Sequence, residues 1–227
     1  MKLDTSWAIF FDAGHTLLHP NVSIGAVYAE IACRYGVAAD AEQLDTGFRV
    51  AWSQMKIRSG KEKIPNEKEW WKVVVQRSWI DLECFQDLPF DDYFEAVYSE
   101  FARPELWSLY PDVRNLLDWL CHRNICCGIL SNWDERLRHI LAGHAIDDCF
   151  DPIIISGEQQ VHKPDLEIFA IAEQQTSANI YNYVLVGDDP DCDRLGAENA
   201  GWSFYHVNRP QQDLTDFLML LKAAYKD

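Results

Sequence analysis

Residues Ile9–Leu18 read IFFDAGHTLL: three apolar residues run into Asp12, and the chain then turns through Gly14 toward Thr16. With Trp7 and Ala8 in front, WAIFF is short, continuously apolar and bounded by polar residues, the pattern of a strand covered on both faces. In an open parallel sheet, the groups that do chemistry stand just past the carboxyl ends of the strands. Asp12 holds that position.

Outward from this stretch, the pattern turns helical from about Ser23 to Ala102. SIGAVYAEIACRYG (23–36) has helical apolar spacing and a glycine stop, and DAEQLDTGFRVAWSQM (40–55) opens on a capping aspartate. NEKEWWKVVVQRSWIDL (66–82) starts on Asn66 with Glu69 three residues later, and FDDYFEAVYSEFA (90–102) closes the set without a strand between. After LWSLYPDV the chain alternates. Helices over 111–124, 134–144, 164–175, 193–201 and 211–225 separate apolar strands in ICCGILS, DPIIIS, NYVLVGD and WSFYHV. Such alternation predicts an α/β protein with a Rossmann-like parallel sheet and right-handed crossovers. The core is therefore split, residues 1–20 and 104–227 building the sheet domain and 21–103 an inserted all-helical domain. HPNVS and RPELWSLYP are the short junctions, predicting an insertion that hinges without wandering.

The 227 residues suffice for such a domain with a smaller insertion, and 48% apolar residues predict a packed interior. A formal charge of -16 repels nucleic acid and anionic lipid, so a phosphorylated ligand needs local positive charge from a metal or a lysine. The seven cysteines form no C-x-x-C pair, and Cys126 and Cys127 sit in an apolar strand pattern, which predicts reduced, buried thiols. No apolar run approaches the roughly 20 residues that span a bilayer, and MKLDTSWAIF lacks a secretory signal's apolar block and cleavage site. The expectation is a cytoplasmic protein.

Four loop positions trail the core strands: Asp12 in FDAGHTL, Ser131 in ILSNWDERL, Lys163 in VHKPDLEIF, and Asp188, Asp189 and Asp193 in VGDDPDCD. A carboxylate can attack phosphorus in line, while hydroxyl, amide and ammonium groups hold phosphoryl oxygens. Paired carboxylates can bind Mg²⁺. Phosphoryl transfer passes through a loose transition state, so positioning and charge neutralisation are most of what a protein must supply.

In this order, with a helical insertion after the first motif, the chain resembles the haloacid dehalogenase superfamily along essentially its whole length. The resemblance implies that Asp12 is nucleophile and metal ligand. Ser131, Asn132, Lys163, Ala13 and Gly14 would surround the phosphoryl group. Lys163 would orient Asp12, and Thr16 would fix the loop through its hydroxyl. Mg²⁺ would be held by Asp12, the Gly14 carbonyl, Asp188, and Asp189 or Asp193, one of the last two acting through a water or Lys163. The inserted domain would close over the site and choose a small phosphorylated substrate.

One position departs from the resemblance. Phosphatases of the superfamily read D-x-D, and the second aspartate protonates the leaving oxygen and then activates water. Here it is Gly14. His15, next along the chain, and His19 are the candidates to replace it. Losing the acid-base group predicts weaker turnover of alkyl than of activated esters, and accumulation of the covalent intermediate.

Three readings follow: a Mg²⁺-dependent phosphohydrolase, a dehalogenase or phosphonatase, or a phosphate-binding protein without turnover. Dehalogenases need no metal, so the GDD cluster weighs against them. A phosphonatase needs an insertion lysine, for which nothing singles out Lys56, Lys61 or Lys63. Plainer roles stand beside these: Asp188 to Asp193 as a solvated helix start, Trp52, Trp70, Trp71 and Trp79 as bundle core with Trp70 and Trp71 unable to share one face, and His139 and His144 as surface residues.

Overall fold

The computed structural model describes residues 6–55, 66–79, 82–177 and 179–225. Its core is a parallel sheet of five strands: β1 (Trp7–Phe11), β4 (Cys126–Ser131), β5 (Ile153–Ile155), β6 (Asn182–Gly187) and β7 (Ser203–His206), in the order β5-β4-β1-β6-β7. WAIFF is central and buried at every position, as continuous apolarity requires of a strand covered on both faces. Phe11 is in register with both Ile129 and Val186, so β1, β4 and β6 end nearly level. Asp12, Ser131 and Asp188 consequently emerge along one edge.

The crossover helices are α5 (Val113–Cys121), α6 (Arg136–Gly143), α8 (Leu166–Gln175), α9 (Leu195–Asn199) and α10 (Leu214–Ala224), with a single turn α7 (Ser156–Gln159) after β5. One core cluster joins Phe10, Leu130, Ile154 and Leu185 from the strands to Phe169 and Trp202. Asp213 caps α10 in a full capping box with Asp216. The predicted helix over 193–201 begins instead as a π turn, Pro190–Arg194, and that turn becomes important at the site.

A second compact unit, between Pro20 and Ser108, holds α1 (Ile24–Arg34), α2 (Ala41–Met55), α3 (Glu67–Arg77) and α4 (Phe90–Glu100). Ser23 caps α1 and Asn66 caps α3, each through its side-chain oxygen. Tyr28, Ile31, Trp79, Tyr93 and Phe94 form its core. Of the four tryptophans read as core, Trp79 is fully buried, whereas Trp52 is 39% exposed. Trp52 stacks on Trp71 at 5.5 Å and meets Trp70 edge-on at 5.5 Å, so the adjacent pair on α3 shares one flanking ring and neither is fully buried.

Two further readings need correction. The junctions are paired: β2 (Leu18–Pro20) and β3 (Trp107–Leu109) form a two-stranded sheet, since the outgoing and returning chain lie side by side and satisfy each other's backbone groups. All seven cysteines are free thiols, but Cys33 and Cys121 are exposed, because they fall outside the buried faces of α1 and α5. Among the described residues, no helix is long and apolar enough to cross a membrane.

Candidate active site

Asp12 follows β1, and its N–H continues the ladder by donating to the Val186 carbonyl at 2.9 Å. One of its oxygens, Oδ1, accepts from Ser131 Oγ at 2.9 Å and from Lys163 Nζ at 2.8 Å. Lys163 is 1% exposed, and its ammonium also meets Asp193 Oδ1 at 2.6 Å. Burial by itself would push this ammonium down. The Asp12 and Asp193 carboxylates outweigh that and hold it above its ordinary value, so Lys163 remains a cation.

The Asn132 side-chain amide is bonded to the backbone of Lys163. Its Oδ1 accepts the Lys163 N–H at 2.8 Å and its Nδ2 donates to the Lys163 carbonyl at 2.9 Å. The amide is a clamp that fixes the lysine-bearing loop to the end of β4.

The acidic run divides its labour. Asp189 Oδ1 accepts the N–H groups of Asp191 (2.8 Å) and Cys192 (3.0 Å), capping the π turn. That turn delivers Asp193, whose Oδ2 accepts the Asp189 N–H at 3.0 Å. Oxygens of Asp12, Asp188 and Asp193 lie within 4.8 Å of one another, whereas Asp189 is outside this trio. Of the two alternatives read from the sequence, Asp189 is engaged through Oδ1 in the cap, and Asp193 is the one in this trio. Gly187 makes room for it: a Cβ there would lie 2.2 Å from Asp193 Oδ2. Gly187 went unremarked in the sequence, although its position at the end of VLVG, just before the acidic run, was the available signal.

Three converging carboxylate oxygens are a hard donor set, and the repulsion among them fits a divalent cation such as Mg²⁺. Burial, then the charges of Asp12 and Asp193, push Asp188 up to about 8. Asp193 is raised too, by burial and by Asp12, with Lys163 opposing. The folded chain therefore keeps a proton on Asp188 that the unfolded chain releases near 3.8. Between about 4 and about 8 the native state binds more protons than the unfolded one, so stability of the metal-free protein falls as pH rises through that window. Melting in EDTA and in Mg²⁺ checks this. The stabilisation by Mg²⁺ should be larger at pH 8 than at pH 5.5, and Asp188→Asn should flatten the EDTA profile; a metal-free protein that gains stability toward pH 8 would contradict it.

The loop after Asp12 is held differently from expectation. Thr16 is fully buried, but its hydroxyl has no hydrogen-bond partner among the described residues. The backbone does the fixing: the Ala13 carbonyl accepts the N–H groups of Leu17 and Leu18, each at 2.9 Å, and the Thr16 carbonyl accepts Arg209 Nη2 at 3.1 Å. Arg209 is itself paired with both oxygens of Asp112 (2.8 and 3.0 Å) and lies 3.8 Å from the centre of the Tyr110 ring. Neither Arg209 nor Asp112 was marked by any motif; their pairing spans 97 residues.

His15 is exposed, with a left-handed φ of 54°, and His19 lies against Tyr110 at 4.7 Å. Gly14 pairs with Leu18 in a single bridge, and among the described residues beyond its chain neighbours a Cβ on it would meet Trp133, whose Cζ3 would be 3.3 Å away. His139 is exposed, as a surface role requires, whereas His144 is half-buried with its Nε2 out of solvent. Lys56, Lys61 and Lys63 lie outside the described residues.

Comparison with known proteins bears on the family and the fold. A family model described as haloacid dehalogenase-like hydrolase matches residues 8–201. The zebrafish (Danio rerio) haloacid dehalogenase-like hydrolase domain-containing protein 3 is 28% identical, over 92% of this chain and 87% of its own. Among solved structures, a HAD phosphatase from Thermococcus onnurineus superposes with a TM-score of 0.59 at 22% identity, over 92% of this chain and 87% of that one. L-2-haloacid dehalogenase from Xanthobacter autotrophicus gives 0.65 at 21%, over 97% and 83%. The fold is thus shared with proteins of two chemistries, and by the extent of its family match the chain belongs to the haloacid dehalogenase-like hydrolases.

Proposed function

We propose that this protein is a Mg²⁺-dependent phosphohydrolase of small phosphorylated metabolites, working through an aspartyl-phosphate on Asp12. The carrying observation is that the Asp12 carboxylate is fixed by Ser131 and Lys163 while sharing a three-carboxylate cluster with Asp188 and Asp193. A carboxylate needed only for structure would not be crowded by two others. A divalent cation would be held by Asp12, Asp188 and Asp193 and would supply charge neutralisation at the phosphoryl group.

Asp12 attacks phosphorus, the bond to the ester oxygen breaks, and the leaving group departs with the bonding pair. Lys163 and Ser131 hold Asp12 and neutralise charge near it. Water then attacks the phosphorus of the aspartyl-phosphate, releasing inorganic phosphate and restoring the carboxylate. Position 14 offers no side chain to protonate the leaving oxygen or to activate that water. General acid-base help is worth about 10²–10⁴ in rate, or roughly 3–5 kcal/mol of barrier. Its absence falls hardest on leaving groups that need a proton.

The test is hydrolysis of p-nitrophenyl, phenyl and methyl phosphates with Mg²⁺ and with EDTA. Turnover should require Mg²⁺, should fall steeply as the leaving group becomes more basic, and should show a burst. Equal rates across the series without a burst would remove the proposed consequence of Gly14. Metal-independent release of halide from 2-haloacids would place the chemistry with the dehalogenases. Gly14 itself favours one second reading, a phosphate-binding protein without turnover, which predicts phosphate-analogue binding with no hydrolysis of any ester.

A further inference from the structure

The loop after β4 is anchored at successive residues. Ser131 bonds Asp12, Asn132 clamps the Lys163 backbone, and Asp134, fully buried, pairs with Arg136 at 2.6 Å. Between them, the Trp133 N–H donates to Ser156 Oγ at 3.1 Å, and its carbonyl accepts from Ser156 Oγ at 3.1 Å and the Gly157 N–H at 2.9 Å. Ser156 is itself fully buried. The backbone that carries the indole is therefore fixed.

That indole is half-buried, and its edge stands 3.3 Å from where a Cβ on Gly14 would be. Among the described residues, no other group outside the immediate chain comes within 4 Å of that point, and Gly14 does not have a left-handed φ that would demand glycine. What makes position 14 tight is one aromatic ring. Gly14 is two residues past Asp12, and Trp133 two past Ser131, whose hydroxyl touches Asp12. The two loops meet at Asp12 through Ser131, and the edge of the indole stands where a side chain from position 14 would project.

We propose that Trp133 is the specificity-determining residue of the Asp12 site, its indole replacing the position-14 side chain as one wall and selecting phosphates that carry a planar apolar group, such as aryl esters. This deepens the phosphohydrolase reading and rests on it for the phosphoryl pole. A ring on that wall gains contact with a planar substituent and gives nothing to a methyl group of the same charge. It offers no proton, so a group that departs as a stable anion, taking its proton from solvent, is the one that matches.

The probes are phenylphosphonate and methylphosphonate, which carry a non-hydrolysable P–C bond for this site, titrated calorimetrically in Mg²⁺. Wild type should bind phenylphosphonate about tenfold more tightly. Trp133→Leu should lose that ratio, and Trp133→Phe, which keeps a ring on the same backbone, should retain most of it. A double-mutant cycle on melting temperature adds a ligand-free readout: Gly14→Ala should lower the melting temperature in the wild-type background and not in Trp133→Ala. Equal affinities for the two probes, binding of neither, an unchanged ratio in Trp133→Leu, or an uncoupled cycle would overturn the inference. The expected ratio and coupling without turnover of phenyl phosphate would leave it standing and remove the phosphohydrolase reading instead.

Discussion

Lys163→Met should destabilise the protein by about 3–5 kcal/mol, the range for removing one partner of a buried ion pair. The ammonium lies 2.8 Å from Asp12 and 2.6 Å from Asp193 and is the cation that both carboxylates contact. Without it, three carboxylates whose oxygens lie within 4.8 Å of one another lose the ammonium that offsets their repulsion. For a chain of this length the melting temperature should drop by roughly 6–20 °C. Because the defect is excess negative charge, the loss should be greatest in EDTA at pH 8. It should shrink at pH 5, where carboxylates accept protons, and on adding Mg²⁺. Thermal melts under those conditions check it; a variant as stable as wild type in EDTA at pH 8 would mean that the lysine does not hold the cluster together. Hydrolysis should fall as well, since Asp12 loses one of the two groups that orient it.

Asp12→Asn should separate activity from stability in the opposite way. Removing the nucleophile of an assembled site costs on the order of 10⁴-fold or more in turnover, and an amide at position 12 cannot form the aspartyl-phosphate. The substitution also removes one negative charge from a cluster of three, while Lys163 keeps Asp193 as partner. The loss of attraction to Lys163 is thus offset by relief of repulsion, and the melting temperature in EDTA should move far less than in Lys163→Met. Rates of p-nitrophenyl phosphate hydrolysis and paired melts decide it. Activity within tenfold of wild type would exclude Asp12 as the attacking group.

Much of this was readable from residue order. The run WAIFF into Asp12 placed the central strand and the group at its end, because a strand covered on both faces must be apolar throughout. The alternation after Tyr110 gave the parallel sheet, and Asp40 and Asn66 announced two helix starts through their side-chain oxygens. Where local pattern was the deciding physics, reading and structure agree. The exceptions are instructive: the junctions paired as strands too short to show a period, and VGDDPDCD held a π turn that no apolar spacing signals.

The sequence by itself determined the α/β core with its helical insertion and named the residues that converge on Asp12, since strand-end position follows from periodicity along the chain. Tertiary structure alone decided how those residues divide their roles. Asn132 clamps the Lys163 backbone, Asp189 caps while Asp193 joins the cluster, and Arg209 secures the loop through the Thr16 carbonyl. It also decided what stands beside Gly14. The physical reason is that each outcome depends on contacts between residues distant in the chain, and 3.3 Å between an absent Cβ and the edge of Trp133 leaves no trace in the order of letters.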